Sequence, residues 1–216
     1  MFEKNGLLEE ITEELSCHKP NWPLILQEYN PIRCIKHKNE QFSNLVGELS
    51  EIYLRVSLRE ICRKYDGRIL QNPILHGENT ISYNFYNDKR KHLIAKNLFS
   101  NRDVCEIDDL MIIDDLPVMF EIKLTQALNH VDMNFRHRPN GCSMNQERSA
   151  HLFDPLKEYF HTDKLGYVVV LYKEVIGKYS LRQNQFESNN GIISPFYTDR
   201  NSFRNDVFFI FPCLKM

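Results

Sequence analysis

Val104-Cys105-Glu106-Ile107-Asp108-Asp109-Leu110-Met111-Ile112-Ile113-Asp114-Asp115-Leu116-Pro117-Val118-Met119-Phe120-Glu121-Ile122-Lys123-Leu124 reads as two strands joined at Asp114 to Pro117. The runs Leu110 to Ile113 and Val118 to Ile122 are apolar enough for interior strands. Asp108, Asp109 and Glu121 interrupt that pattern, where a purely structural strand prefers apolar or β-branched side chains. A buried carboxylate without a partner is costly, so such positions take a cation or a base. Lys123 follows Glu121 by two residues and so shares its strand face. The triplet Glu121-Ile122-Lys123 is the chain's only E-x-K.

A symmetric four-residue loop at Asp114 to Pro117 sets Asp108 opposite Lys123, Leu110 opposite Glu121 and Asp109 opposite Ile122. Opposed residues have Cβ atoms about 5 Å apart and diagonal ones about 7–8 Å apart. Asp108, Glu121 and Lys123 then converge on one face, with Asp109 on the other. A one-residue slip or a bulge exchanges the two aspartates, so Asp109 stands as the alternative to Asp108. Two carboxylates at that diagonal spacing can share a Mg²⁺, whose oxygen ligands lie at about 2.0–2.1 Å.

Around the hairpin the pattern is α/β, a sandwich about a mixed sheet. Leu7, Leu8, Ile11 and Leu15 mark one face of a short helix, and Pro20, Pro23 and Pro31 punctuate the stretch after it. Residues 1–38 read as an N-terminal helical appendage, 39–175 as the core and 176–216 as a C-terminal extension. Apolar positions from Phe42 to Ile61 keep helical spacing, and Asp66-Gly67 ends that helix. Strand-like runs come next at Arg68 to Leu75 and Thr80 to Tyr86, then a basic patch at Lys89-Arg90-Lys91-His92. A loop over 126–143 carries Arg136, His137 and Arg138, a helix is expected over Asn145 to Phe160, and GYVVVLY from Gly166 is a buried strand. Gln183 to Asn205 reads as polar loop and Asp206 to Cys213 as a last strand.

Asp108, thirteen residues ahead of Glu121-Ile122-Lys123 at the end of an apolar strand, resembles the signature of the PD-(D/E)xK nuclease superfamily. The carboxylate spacing is similar to that of archaeal Holliday-junction resolvases and of several restriction and repair nucleases. The resemblance implies a restriction-endonuclease-like αβββαβ core with a mixed central sheet flanked by helices. It implies endonucleolytic hydrolysis of DNA phosphodiesters with Mg²⁺, or Mn²⁺ as a substitute, and branched or junction DNA is among the substrates it suggests. Asp108 and Glu121 would be the metal ligands, joined by the Ile122 carbonyl, with Lys123 on the attacking water or the phosphate. Gly47-Glu48-Leu49-Ser50-Glu51 is similar to the helix start of many members, which makes Glu51 the helix carboxylate, with Glu48 its competitor one turn earlier. The proline of the family name is absent, since Ile107 precedes Asp108. A module of this fold that has lost activity and binds nucleic acid or a protein is the alternative, and an RNA-directed defence nuclease is a further one.

The formal charge of −2, from 27 Lys plus Arg against 29 Asp plus Glu, argues against a simple basic nucleic-acid binder. Residues 105–123 hold six acidic side chains and one lysine, which leaves a net of +3 on the rest of the chain. A divalent cation offsets much of that local excess where a phosphate must approach. Arg136, Arg138, Lys89 and Arg90 are the expected phosphate contacts. A symmetric substrate would suit a homodimer with two sites. The six cysteines form no CxxC pair, and no run reaches the about 20 apolar residues of a membrane helix. With no secretory segment at the start, the expectation is a soluble cytoplasmic protein without a membrane partner.

Overall fold

Leu7, Leu8, Ile11 and Leu15 recur at helical spacing and are all buried along α1 (Glu3–Cys17), while Glu9, Glu10 and Glu13 face solvent. In the computed structural model the described residues are 3–29, 38–71, 73–76, 80–124, 153–176 and 191–211. A second short helix, α2 (Trp22–Glu28), lies in the proline-punctuated stretch, capped by Asn21, whose side chain accepts the Leu24 N–H. Pro23 stands in its first turn, where the missing N–H costs no helical bond. The long helix is α3 (Lys38–Cys62). From Ile52 to Leu58 every residue of α3 is buried, so this segment is enclosed on all sides and its polar members need internal partners. Residues 1–38, set apart in the sequence, contribute Leu7, Leu8, Ile11, Leu15 and Ile25 to the same apolar cluster as α3 and the sheets.

Two sheets complete the core. The strands are β1 (Ile69–Gln71), β2 (Tyr83–Asn87), β3 (Leu93–Asn97), β4 (Arg102–Ile107), β5 (Asp109–Ile113), β6 (Leu116–Ile122), β7 (Gly166–Leu171) and β8 (Gly191–Pro195). A five-stranded mixed sheet has the order β1-β5-β6-β7-β8, and β2-β3-β4 form an antiparallel three-stranded sheet. β1 and β6 flank β5 in antiparallel fashion, whereas β6, β7 and β8 run parallel. β7 is buried along its whole length, as its unbroken apolar run requires in a parallel sheet. Helix α4 (residues 153–160) packs Tyr159 edge-on against Phe85 of β2, 5.5 Å between ring centres. Its Glu158 carboxylate accepts from the backbone N–H groups of Ile81 (2.6 Å) and Ser82 (2.8 Å), which ties the three-stranded sheet to this helix.

Four expectations need correction. The segment over 104–124 is three strands, because the chain bends at Asp108 between β4 and β5. The hairpin loop is two residues: Asp114 and Asp115 take φ of 45° and 67°, the left-handed pair of a type I′ turn, which Asp tolerates. Pro117 therefore lies inside β6 opposite Ile112, and β7 begins to pair only at Val118. At that position the absent N–H removes no ladder bond. The expected last strand from Asp206 is instead the second half of α5 (Arg200–Ile210). Asp199 caps α5 by accepting from Asn201 and Ser202, and Phe203 and Val207, four apart, form its buried stripe. The polar stretch over 183–205 holds β8, and β3 follows directly on the basic patch at 89–92.

Gly166 opens β7 where a Cβ would lie 2.9 Å from Val118 Cγ2, whereas a Cβ on Gly47 of α3 meets nothing within 4 Å. Gly166→Ala is expected to lower stability by about 1–3 kcal/mol through overpacking. Gly47→Ala is expected to raise it by about 0.5–1 kcal/mol through helix propensity. Urea midpoints of the two variants check the opposite signs.

Candidate metal centre

β4 belongs to one sheet and β5 to the other, with Asp108 alone between them. β3 and β4 pair Leu93 with Ile107, and β5 and β6 pair Asp109 with Phe120. Continuing each register by one residue sets Asp108 opposite His92 on one side and opposite Glu121 on the other. Because β5 starts only at Asp109, the Ile122 N–H has no backbone acceptor across the strand. It donates instead to Asp108 Oδ2 at 2.9 Å. The N–H and C=O of one strand residue point the same way, so the Ile122 carbonyl also faces this corner.

The hairpin register therefore differs by two residues from the symmetric-loop expectation: Asp108 opposes Glu121 directly and not Lys123. An even shift leaves every side chain on its face. Asp108, Glu121 and Lys123 thus share one face, and the Lys123 ammonium contacts the Glu121 carboxylate.

Glu51 reaches the same corner from α3. Its Oε2 lies 3.1 Å from Nε2 of His92, a fully buried ring. On the far side of the ring, Nδ1 is 2.9 Å from Glu106 Oε1 and 3.7 Å from Asp88 Oδ2, without hydrogen-bond alignment. Glu51, His92 and Asp108 each offer a ligand atom, all within 4.8 Å of one another. One imidazole nitrogen turned to a donor cluster and the other to a carboxylate is the arrangement that orients metal-bound histidines. Two carboxylates and an imidazole, with Glu121 and the Ile122 carbonyl beside them, suit a divalent cation of the Mg²⁺–Mn²⁺ type or a later transition metal.

The electrostatics point the same way. Burial, reinforced by Glu121 and Glu51, raises the Asp108 carboxyl well above the ordinary range against the pull of Lys123 and the Ile122 N–H. Burial raises Glu121 as well, restrained by Lys123. For Lys123 burial acts downward, but Glu121, Asp108 and Glu51 outweigh it and raise the ammonium's pKa. Burial likewise opposes the charged form of His92, and Glu51, Asp108 and Glu106 overcome it. A corner where carboxylates raise one another and draw protons onto neighbouring bases is short of positive charge, the condition that a cation relieves.

The other candidates lie elsewhere. Asp109 faces the opposite side, where its Oδ2 accepts from Gln71 Nε2 at 3.0 Å; burial pushes it up to about 7, restrained by Arg55 and Gln71. Glu51 pairs with His92 and not with Arg55 one turn away, and Glu48 lines a groove beside the cluster. Lys89 and Arg90 are exposed on the turn before β3 and border that groove. Arg136 and Arg138 lie outside the described residues. His92 belongs by sequence to the solvated basic patch, yet it is the most buried member of the cluster. Recognition of β3 from Leu93-Ile94-Ala95 would have exposed it, since the pairing of β3 with β4 carries the ring to Asp108. Cys105 offers no nucleophile, since burial beside Glu121 and Glu106 pushes its thiol up to about 12.

Asp108→Asn is expected to weaken Mn²⁺ binding by about 10–100-fold in isothermal titration, whereas Asp109→Asn leaves it within about threefold. The reverse order would assign the site to the other face of β5. No helix among the described residues is long and apolar enough to cross a membrane. Comparison with protein-family models, curated proteins and solved structures finds no match to this chain.

Proposed function

We propose that the chain is a metal-dependent endonuclease of PD-(D/E)xK type that hydrolyses phosphodiester bonds in DNA. The observation that carries this reading is the meeting of Asp108, Glu121 and Lys123 on one face with Glu51 from α3. The succession α3, β1, β5, β6, α4, β7, with β1-β5-β6 antiparallel and β7 parallel to β6, supports it by its likeness to the αβββαβ core. On this reading the β2-β3-β4 sheet is an insertion between the first two core strands.

Asp108, Glu121 and the Ile122 carbonyl would hold the cation, with Glu51 and His92 closing the site from α3 and β3. A divalent cation supplies Lewis acidity there, lowering the pKa of a bound water and offsetting charge on the phosphate. The residues divide the remaining work. Lys123, charged and fixed against Glu121, places an ammonium beside the reacting phosphate, where it stabilises the added negative charge. Glu106 places a carboxylate 2.9 Å from Nδ1 of the His92 ring, where it favours the charged form of the imidazole. The Ile122 N–H fixes the Asp108 carboxylate through Oδ2, and a ligand atom of that carboxylate lies within 4.8 Å of those of Glu51 and His92.

The test is a panel of duplex, single-stranded and branched DNA and single-stranded RNA, each with Mg²⁺, Mn²⁺ or EDTA. Cation-dependent DNA cleavage is expected, reduced about 10³-fold or more in Asp108→Ala and Glu121→Ala with unchanged circular dichroism. Full cleavage by both variants would sink the assignment. Binding without cleavage under every cation would favour an inactive module of the same fold.

A further inference from the structure

Beside the metal cluster, α2, α3 and the turn before β3 enclose a groove bordered by Glu28, Glu48, Glu51, Ile52, Arg55, Lys89, Arg90 and Lys91. Of its three carboxylates, Glu28 faces three cations, Arg55 and Lys91 of the lining and Arg59 beside it. Glu28 contacts Arg59 through Oε1, and its Oε2 lies 3.3 Å from Lys91 Nζ and 3.6 Å from Arg55 Nη1. Glu28 itself is mostly buried, at 13% side-chain exposure.

Arg55 is the unusual member. Its side chain is 5% exposed on the enclosed part of α3. One terminal nitrogen donates to the Arg90 carbonyl at 2.8 Å, while its Nε, also buried, has no hydrogen-bond partner among the described residues. A buried guanidinium with an unused donor and only a longer ion pair is incompletely satisfied. Lys91, which borders the groove, has a φ of 68°, a left-handed conformation uncommon for lysine. Asp109 also lies near Arg55 and Arg59, but Glu28 divides two oxygens among three cations, a demand that a dianionic or doubly coordinating group satisfies better.

We infer that this groove is a subsite for a phosphate of the bound strand, and that Glu28 is a placeholder which the phosphate displaces. The inference rests on the nuclease reading for its substrate. Glu51 and Arg55 are one helical turn apart on α3, about 6 Å along the axis. A strand whose reacting phosphate lies at the metal cluster thus presents a flanking phosphate to Arg55, Arg59 and Lys91. Lys89 and Arg90 continue the cationic border outward. The chemistry recognised is a phosphoryl group, and its source on this inference is a polynucleotide backbone, not free phosphate.

The experiment measures binding of a fluorescein-labelled oligonucleotide, single-stranded and duplex, by anisotropy in EDTA, with inorganic phosphate titrated separately by calorimetry. Glu28→Gln is expected to tighten oligonucleotide binding about 5–10-fold, since the variant gives up a competitor of like charge to the ligand. Lys91→Ala, on a side chain 60% exposed and so safe for folding, is expected to weaken binding and to reduce the salt slope by about 1. Unchanged affinity in a folded Glu28→Gln, or an unchanged affinity and slope in Lys91→Ala, overturns the subsite. Binding of inorganic phosphate with no oligonucleotide binding overturns the backbone assignment. Because EDTA removes the chemistry, the expected shifts without any metal-dependent cleavage would retain the subsite and reject the nuclease.

Discussion

A single residue satisfies two strand registers at once. Asp108 ends one sheet and precedes the first paired residue of another, and its carboxylate replaces the backbone acceptor that β5 fails to supply to Ile122. That substitution holds the two sheets at a fixed junction and leaves an ionisable group in an almost dry corner. The hydrogen bond from the Ile122 N–H to this side chain takes the place of the ladder bond lost at the bend. Everything else in the cluster is placed by reference to it. β6 brings Glu121 and Lys123, the three-stranded sheet brings His92 and Glu106, and α3 brings Glu51.

α3 is the second organising element, since it carries polar groups through an enclosed segment. Glu51 turns to the cluster, while Arg55, one turn on, has Asp109, Glu28 and the Arg90 carbonyl as neighbours. The Gln71 amide bridges the Arg55 carbonyl and Asp109, so β1 is joined to α3 through polar contacts as well as apolar ones. The paired aspartates thus answer different needs. Asp108 faces carboxylates, an ammonium and an imidazole, and Asp109 faces a guanidinium and an amide. Neighbours on a strand point to opposite faces, and the sequence pair Asp108-Asp109 serves both sides of the sheet.

Much of this is legible in the amino-acid sequence, and the reasons differ from residue to residue. The face shared by Asp108, Glu121 and Lys123 survives an incorrect loop length because only an odd shift changes a strand's faces. The long helix follows from apolar spacing. His92 is hidden because its partners come from α3, from β4 and from the junction at Asp108, and no local spacing of histidines marks a site assembled by strand pairing. The C-terminal helix is hidden by Val207-Phe208-Phe209-Ile210-Phe211, an aromatic-rich run that favours strand locally. The Asp199 cap and the burial of Phe203 against Phe196, 5.0 Å between ring centres, override that preference. β8 is hidden in a polar stretch, where pairing to β7 supplies what hydrophobicity does not.

The two-residue turn at Asp114-Asp115 also bears on the order in which the cluster is assembled. A tight hairpin closes within about 1–10 μs because little chain entropy is lost. That local event alone sets Asp108 against Glu121, with Lys123 near enough to screen them. Glu51 and His92 arrive through contacts distant in the chain, which form later where loop closure is costly. The acidic pair is therefore a property of one supersecondary unit, and the closed donor set a property of the completed fold. A cation that needs all of the donors reports on tertiary assembly, not on the hairpin, and by mass action stabilises only chains that have reached it.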